Sequence, residues 1–137
     1  VDGSGSIFPI TTVNEEGKPL WWVNFDNTAD PFIDLFESEH VEICLNRAHP
    51  CFSELSIEES LKKSPLFLEV ISSALYIIVM SVKELADADW NDIVSGNDLA
   101  SGTIAEAIFY FINKLGWDVS DPASLAKSIH NYFDTNL

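Results

Sequence analysis

The sequence predicts an α+β domain: a small antiparallel sheet, made of a hairpin plus a third strand, packed on a bundle of three to four helices. Three observations carry this expectation. Short β-rich runs fall before residue 47, helical periodicities fill the remainder, and the run Pro65–Ala86 is apolar on nearly every face. That run holds twelve large apolar residues, so as a helix it belongs in an interior, with the rest of the fold arranged around it. The domain spans residues 7–137. Residues 1–6, with Gly3-Ser4-Gly5-Ser6, read as a linker or a remnant of expression and are left out of the fold.

Taken in order, Ile7–Val13 is β-rich, and Pro9 marks it as an edge strand because proline lacks a ladder donor. A polar stretch with Gly17 separates it from Leu20–Phe25, and the pair reads as a hairpin with a longer loop. Alternation puts Leu20, Trp22 and Asn24 on one face and Trp21, Val23 and Phe25 on the other, so this strand is expected to be covered on both sides. Pro31–Ser38 can form a short helical turn, docking Phe32, Ile33, Leu35 and Phe36 onto the sheet. His40–Asn46 is the third strand, with Val41, Ile43 and Leu45 inward.

The helical part opens at Ser56, whose spacing to Glu59 is that of a capping box, giving a short helix Ile57–Lys63. Ser64-Pro65 then starts the central helix, since a serine oxygen can accept a free amide and proline suits the first helical position. Thr103–Leu115 places Ile104, Ile108, Phe111, Ile112 and Leu115 on one stripe, with Gly116 as its stop. Asp121-Pro122 begins the last helix, whose buried stripe is Leu125, Ile129, Tyr132 and Phe133.

Charge narrows the function. Twenty-two acids against seven bases give a net charge of -15, and residues 1–60 alone carry twelve acids against Lys18 and Arg47. A nucleic-acid backbone or an anionic membrane calls for clustered Lys and Arg, so both are excluded as partners. The central run approaches the length of a membrane span. Glu69, Ser72, Ser73 and Ser81 interrupt it, however, and Lys83-Glu84 close it without a basic cluster, so it reads as a core helix. A basic protein partner is the electrostatically compatible choice. Two cysteines, too few for a disulfide-stapled secreted domain, point to the cytoplasm.

Chemical signatures are sparse. His40, Cys44, His49 and Cys51 are the metal-capable residues nearest one another, but on a strand His40 and Cys44 would lie about 13 Å apart, so no metal site is expected. A Cys51–His49 pair is the one candidate for a Cys-His hydrolase, although only Arg47 is near to lower the thiol pKa, and Glu54 opposes it. Phosphate-cradling glycine motifs, zincin motifs and nucleophile elbows are missing from the sequence, so no catalytic residue and no cofactor is assigned. The expected partner-binding residues are Trp21, Trp22, Asp26, Asp30, Asp34, Glu37 and Glu39. Tryptophan is enriched at interface hot spots, and these acids cluster beside the pair. The recurrence of Asp26, Asp30 and Asp34 every four residues also suits a divalent-cation or sugar site.

At Ile43-Cys44-Leu45-Asn46-Arg47-Ala48-His49-Pro50-Cys51-Phe52 the chain resembles a segment of bacterial ATP-binding proteins of the GHKL (histidine-kinase-like) class. There a strand ending in Asn-x-x-His-Pro-x-Phe follows the nucleotide domain and leads into helices. The likeness covers about ten of the 137 residues, and the family's Asn-bearing helix and Asp-x-Gly-x-Gly loop are absent, so no catalytic residue carries over. It implies a C-terminal accessory or dimerisation module of a larger bacterial ATPase. The expected function is thus a non-catalytic acidic protein-interaction domain. The alternatives are a free-standing acidic inhibitor, such as an immunity protein against a basic toxin, and a Cys-His hydrolase. A homo-oligomer is compatible with any of the three.

Overall fold

The computed structural model describes residues 8–58 and 64–136. It is an α+β fold built from a three-stranded mixed sheet, β1 (Ile10–Val13), β2 (Trp21–Phe25) and β3 (Val41–Asn46), followed by helices. These are α1 (Pro65–Ala86), the short α2 (Trp90–Ser95), α3 (Ile104–Asn113) and α4 (Pro122–Asn136).

The expected hairpin is not formed. The strand order is β1-β3-β2, with β1 parallel and β2 antiparallel to the central β3. β3 takes the centre because five of its six residues are fully buried, leaving it no edge to show to water. The link between β1 and β2 is consequently a crossover past the end of β3, held by the buried Asn46 side chain. Its Nδ2 donates to the carbonyls of Glu15 (2.8 Å), Lys18 (3.3 Å) and Pro19 (3.0 Å), and its Oδ1 accepts the amides of Glu15 and Ala48. A buried amide with every group paired is a strong local constraint.

α1 is the interior pillar. Ser64 Oγ accepts the Phe67 amide at 3.0 Å with Pro65 in the first turn, as the start signal implies. Ten of its residues are buried, among them Val70, Ile71, Leu75, Ile78 and Val82, and they meet the sheet on one side and α4 on the other. By length and composition alone this helix could also cross a membrane; in the fold, half of its most apolar window is buried. α3 begins at Thr103, whose Oγ1 accepts the Glu106 amide while Glu106 Oε1 accepts the Gly102 amide. Gly116 lies beyond the end of α3 with φ +76, letting the Trp117 amide reach Phe111 O. Asp121 Oδ1 accepts the Ser124 amide to start α4. Gly96 ends α2 at φ +75, with the Phe109 ring 2.6 Å from where a Cβ would stand, so only glycine fits.

Two local expectations change. Pro31–Ser38 starts with one turn, the Asp34 amide donating to Asp30 O, but only Phe32 and Phe36 pack on the core; Ile33 and Leu35 stay exposed, and the segment's backbone caps α3. The Pro31 and Asp34 carbonyls accept the Ala105 and Ile104 amides at 2.8 and 2.9 Å, two donors every helix start leaves free. Ser56 is left-handed (φ 50), not extended as a helix N-cap is, and it ends a 3-10 turn over Phe52–Leu55. The expected helix Ile57–Lys63 falls mainly on residues outside those described.

Candidate functional site

Alternation along three paired strands sorts their side chains onto two faces. The inner face, with Val41, Ile43, Leu45 and the half-buried Trp21, Val23 and Phe25, belongs to the core. The outer face carries Thr11, Trp22, Asn24, Glu42, Cys44 and Asn46, and among the described residues no helix covers it. The expectation that β2 is sheltered on both sides is therefore corrected. A strand at the margin of a sheet with helices on one face leaves its alternate residues open.

Glu42 is the centre of this face. Its carboxylate accepts Thr11 Oγ1 from β1 and Asn24 Nδ2 from β2, both at 2.9 Å, so it clasps all three strands. The Asn24 amide lowers the Glu42 pKa against the opposing effect of partial burial, and Thr11 adds to it. Beside it the Cys44 thiol, buried at 1% exposure, accepts a weak hydrogen bond from Asn24 and is pushed up to about 11 by desolvation and by the Glu42 charge. Such a thiol stays protonated and unreactive.

Two shallow depressions meet at Asn24. One, of about 410 Å³, is lined by Glu15, Lys18, Pro19, Trp22 and Asn24. The other, of about 260 Å³, is lined by Asn24, Phe25, Asp26, Ser38, Glu39, His40 and Glu42. At the far end His40 Nδ1 lies 3.0 Å from Asp26 Oδ2, and its Nε2 lies 4.0 Å from Asp34 Oδ1. The hydroxyl of Thr28, then His40, hold the Asp26 carboxyl down at about 2, while the Asp26 hydrogen bond raises the His40 pKa. The face thus offers two carboxylates held by neighbouring donors, Glu42 and Asp26, in a depression adjoining the one that holds the half-exposed Trp22 indole.

The residues singled out in the sequence divide. Trp22 and Glu39 line the depressions, Asp26 lines one of them, and Asp34 stands behind His40. Trp21 points into the core, so the two indoles do not form one surface. Asp30 and Asp34 serve their own loop: Asp30 Oδ1 accepts the Phe32 amide and Asp34 Oδ2 the Asp30 amide. Their spacing of four carries no meaning outside a helix, and among the described residues no group of three His, Cys, Asp or Glu side chains is disposed to hold a metal ion. Glu37 is exposed, and its carbonyl accepts the His40 and Val41 amides to close the turn. His49 Nδ1 accepts the Cys51 amide at 3.0 Å, and among the described residues no thiol–imidazole hydrogen bond exists. Thr11, Glu15, Asn24 and Glu42 escaped the sequence reading, although parity with Cys44 and Asn46 in HVEICLN places Glu42 on the polar face.

A wider groove of about 600 Å³ runs along α1 and α2, lined by Tyr76, Ile77, Met80 and Trp90 with Lys83, Glu84 and Asp87. Ile77 is 40% exposed there, and Lys83 Nζ sits 5.9 Å from the Trp90 ring centroid. Nothing on that groove gathers polar groups toward one point. The class defined by fold and site is an α+β domain with an acidic, aromatic-centred open sheet face. Comparison with protein-family models, curated proteins and solved structures returns no match.

Proposed function

We propose that this chain is a non-catalytic, acidic protein-interaction domain of the cytoplasm, and that the open face of its sheet receives a basic protein partner. One observation carries the reading. Glu15 lines the depression that holds Trp22, and Asp26, Glu39 and Glu42 line the one that adjoins it at Asn24, with Lys18 the lone lysine or arginine among the lining residues. Glu42 and Asp26, already held by neighbouring donors, lose little freedom on binding, and the nearby Trp22 indole offers a face for a cationic side chain. The likeness of Ile43–Phe52 to GHKL proteins supports placing the domain as an accessory module of a larger bacterial ATPase. The net charge of -15 is equally suited to an acidic inhibitor of a basic toxin.

The test is residue-level mapping by amide and indole chemical shifts during titration with a lysine-rich polypeptide at physiological salt. The proposal expects changes concentrated at Trp22, Asn24 and Glu42, and about tenfold weaker binding for Trp22→Ala. Changes spread evenly over all acidic residues, with Trp22→Ala binding as well as wild type, would overturn it.

A further inference from the structure

We infer that the partner docks by strand addition: an extended segment alternating basic and apolar residues pairs with the free edge of β2. This rests on the reading above and specifies how that face is used. The hydrogen-bond parity of the sheet is the starting point. The Asn46 amide donates to Leu20 O and the Asp26 amide to His40 O, each at 2.8 Å, at the two ends of one unbroken antiparallel register. In such a ladder bonded pairs fall on every second residue, so Trp22 and Asn24 turn their backbone groups toward β3. Trp21, Val23 and Phe25 turn theirs the other way. β2 is an edge strand, and among the described residues none of these three N–H or C=O groups is hydrogen-bonded.

The devices that normally blunt an edge are missing from it. Trp21–Phe25 contains no proline, no lysine and no bulge, and it is apolar except at Asn24. The opposite edge is less inviting: β1 is four residues long and follows Pro9. Side-chain chemistry sets what a new strand must carry. On its inner side it would lie beside Trp21, Val23 and Phe25, all only half-buried against the core, so apolar residues there complete a cover that is unfinished. On its outer side it would lie beside Trp22 and Asn24, with Glu15 at one end, Asp26 and Glu39 at the other and Glu42 behind Asn24 on β3, so lysine or arginine matches. Main-chain bonds would supply affinity and the alternation specificity, as in other strand-addition complexes.

The probe is a lysine–valine alternating peptide, compared with the same peptide N-methylated at alternate amides, which has equal charge and lacks the pairing donors. The expected result is slowed hydrogen exchange at the Trp21, Val23 and Phe25 amides with the first peptide only. The methylated form should bind at least about tenfold more weakly. Val23→Pro removes one outward donor and leaves the ladder to β3 intact, so it should keep the native amide spectrum and weaken the unmodified peptide to a similar degree. Equal binding by both peptides without edge protection would overturn strand addition while leaving a basic partner on the sheet face in place. Failure of both peptides would overturn both readings. Protection of the β2 edge with no peptide present, accompanied by a dimeric mass, would overturn the proposal by giving the edge to a second copy of the chain.

Discussion

The two faces of the sheet are made from alternate residues of the same strands, yet they are governed by different physics. Toward the helices, Val41, Ile43 and Leu45 are wholly buried beneath α1, and what matters there is volume. Away from the helices, one step along the chain, Glu42 is ionised and held by Thr11 and Asn24, and what matters is charge and hydrogen-bond geometry. The comparison teaches that a small sheet backed by helices on one side has a spare face. In this chain that face is not simply wet. It is organised, with Asn46 pinning the crossover at one end and the His40–Asp26 pair closing the other.

The sharpest way to break the comparison is to truncate matched residues on the two sides. Ile43→Ala, on the inner face, should cost about 2–5 kcal/mol in equilibrium denaturation, from lost burial plus the cavity left behind. Asn46→Ala should cost about 1–3 kcal/mol, because it strands three carbonyls and two amides at the crossover. Faster hydrogen exchange of the Glu15 amide would show that the 14–19 segment had come loose. Trp22→Ala should cost about 1 kcal/mol or less in stability, its main effect falling on partner binding. If Trp22→Ala proved as destabilising as Ile43→Ala, the outer face would be core and the distinction would fail.

The smallest effect concerns pH. Asp26 is lowered from 3.8 to about 2, so its contribution to stability is present above the ordinary carboxylate value and is lost as pH falls through about 2. His40 is raised from 6.5, so its contribution is complete below that value and is lost as pH rises through the raised one. The pair is at full strength between those limits, roughly pH 4 to 6.5. His130, raised by the Ala126 carbonyl and by Glu69, follows the same trend, so the quantity to measure is the stability difference between wild type and Asp26→Asn. That difference should peak inside the window and shrink above it. A flat difference across the range would mean that the two side chains do not interact in solution.

Much of this architecture was legible along the chain. The spacing of apolar residues and the start signals at Ser64, Thr103 and Asp121 located α1, α3 and α4, since helices are made of bonds between residues four apart and caps act within one turn. The burial of α1 followed from its composition. Of the candidate site, Trp22, Asp26 and Glu39 could be named.

The tertiary structure alone decided which strand lies in the middle, because pairing joins residues about thirty positions apart, such as Thr11 and Cys44, and nothing local encodes that choice. It decided that Trp21 is core and Trp22 is surface, since alternation separates two faces without saying which one the helices cover. It likewise turned Asp30 and Asp34 into loop braces, and promoted Glu42 and Asn24 to the middle of the exposed face. A sequence sets local geometry through short-range bonds; the meaning of an exposed acid depends on what the fold brings beside it.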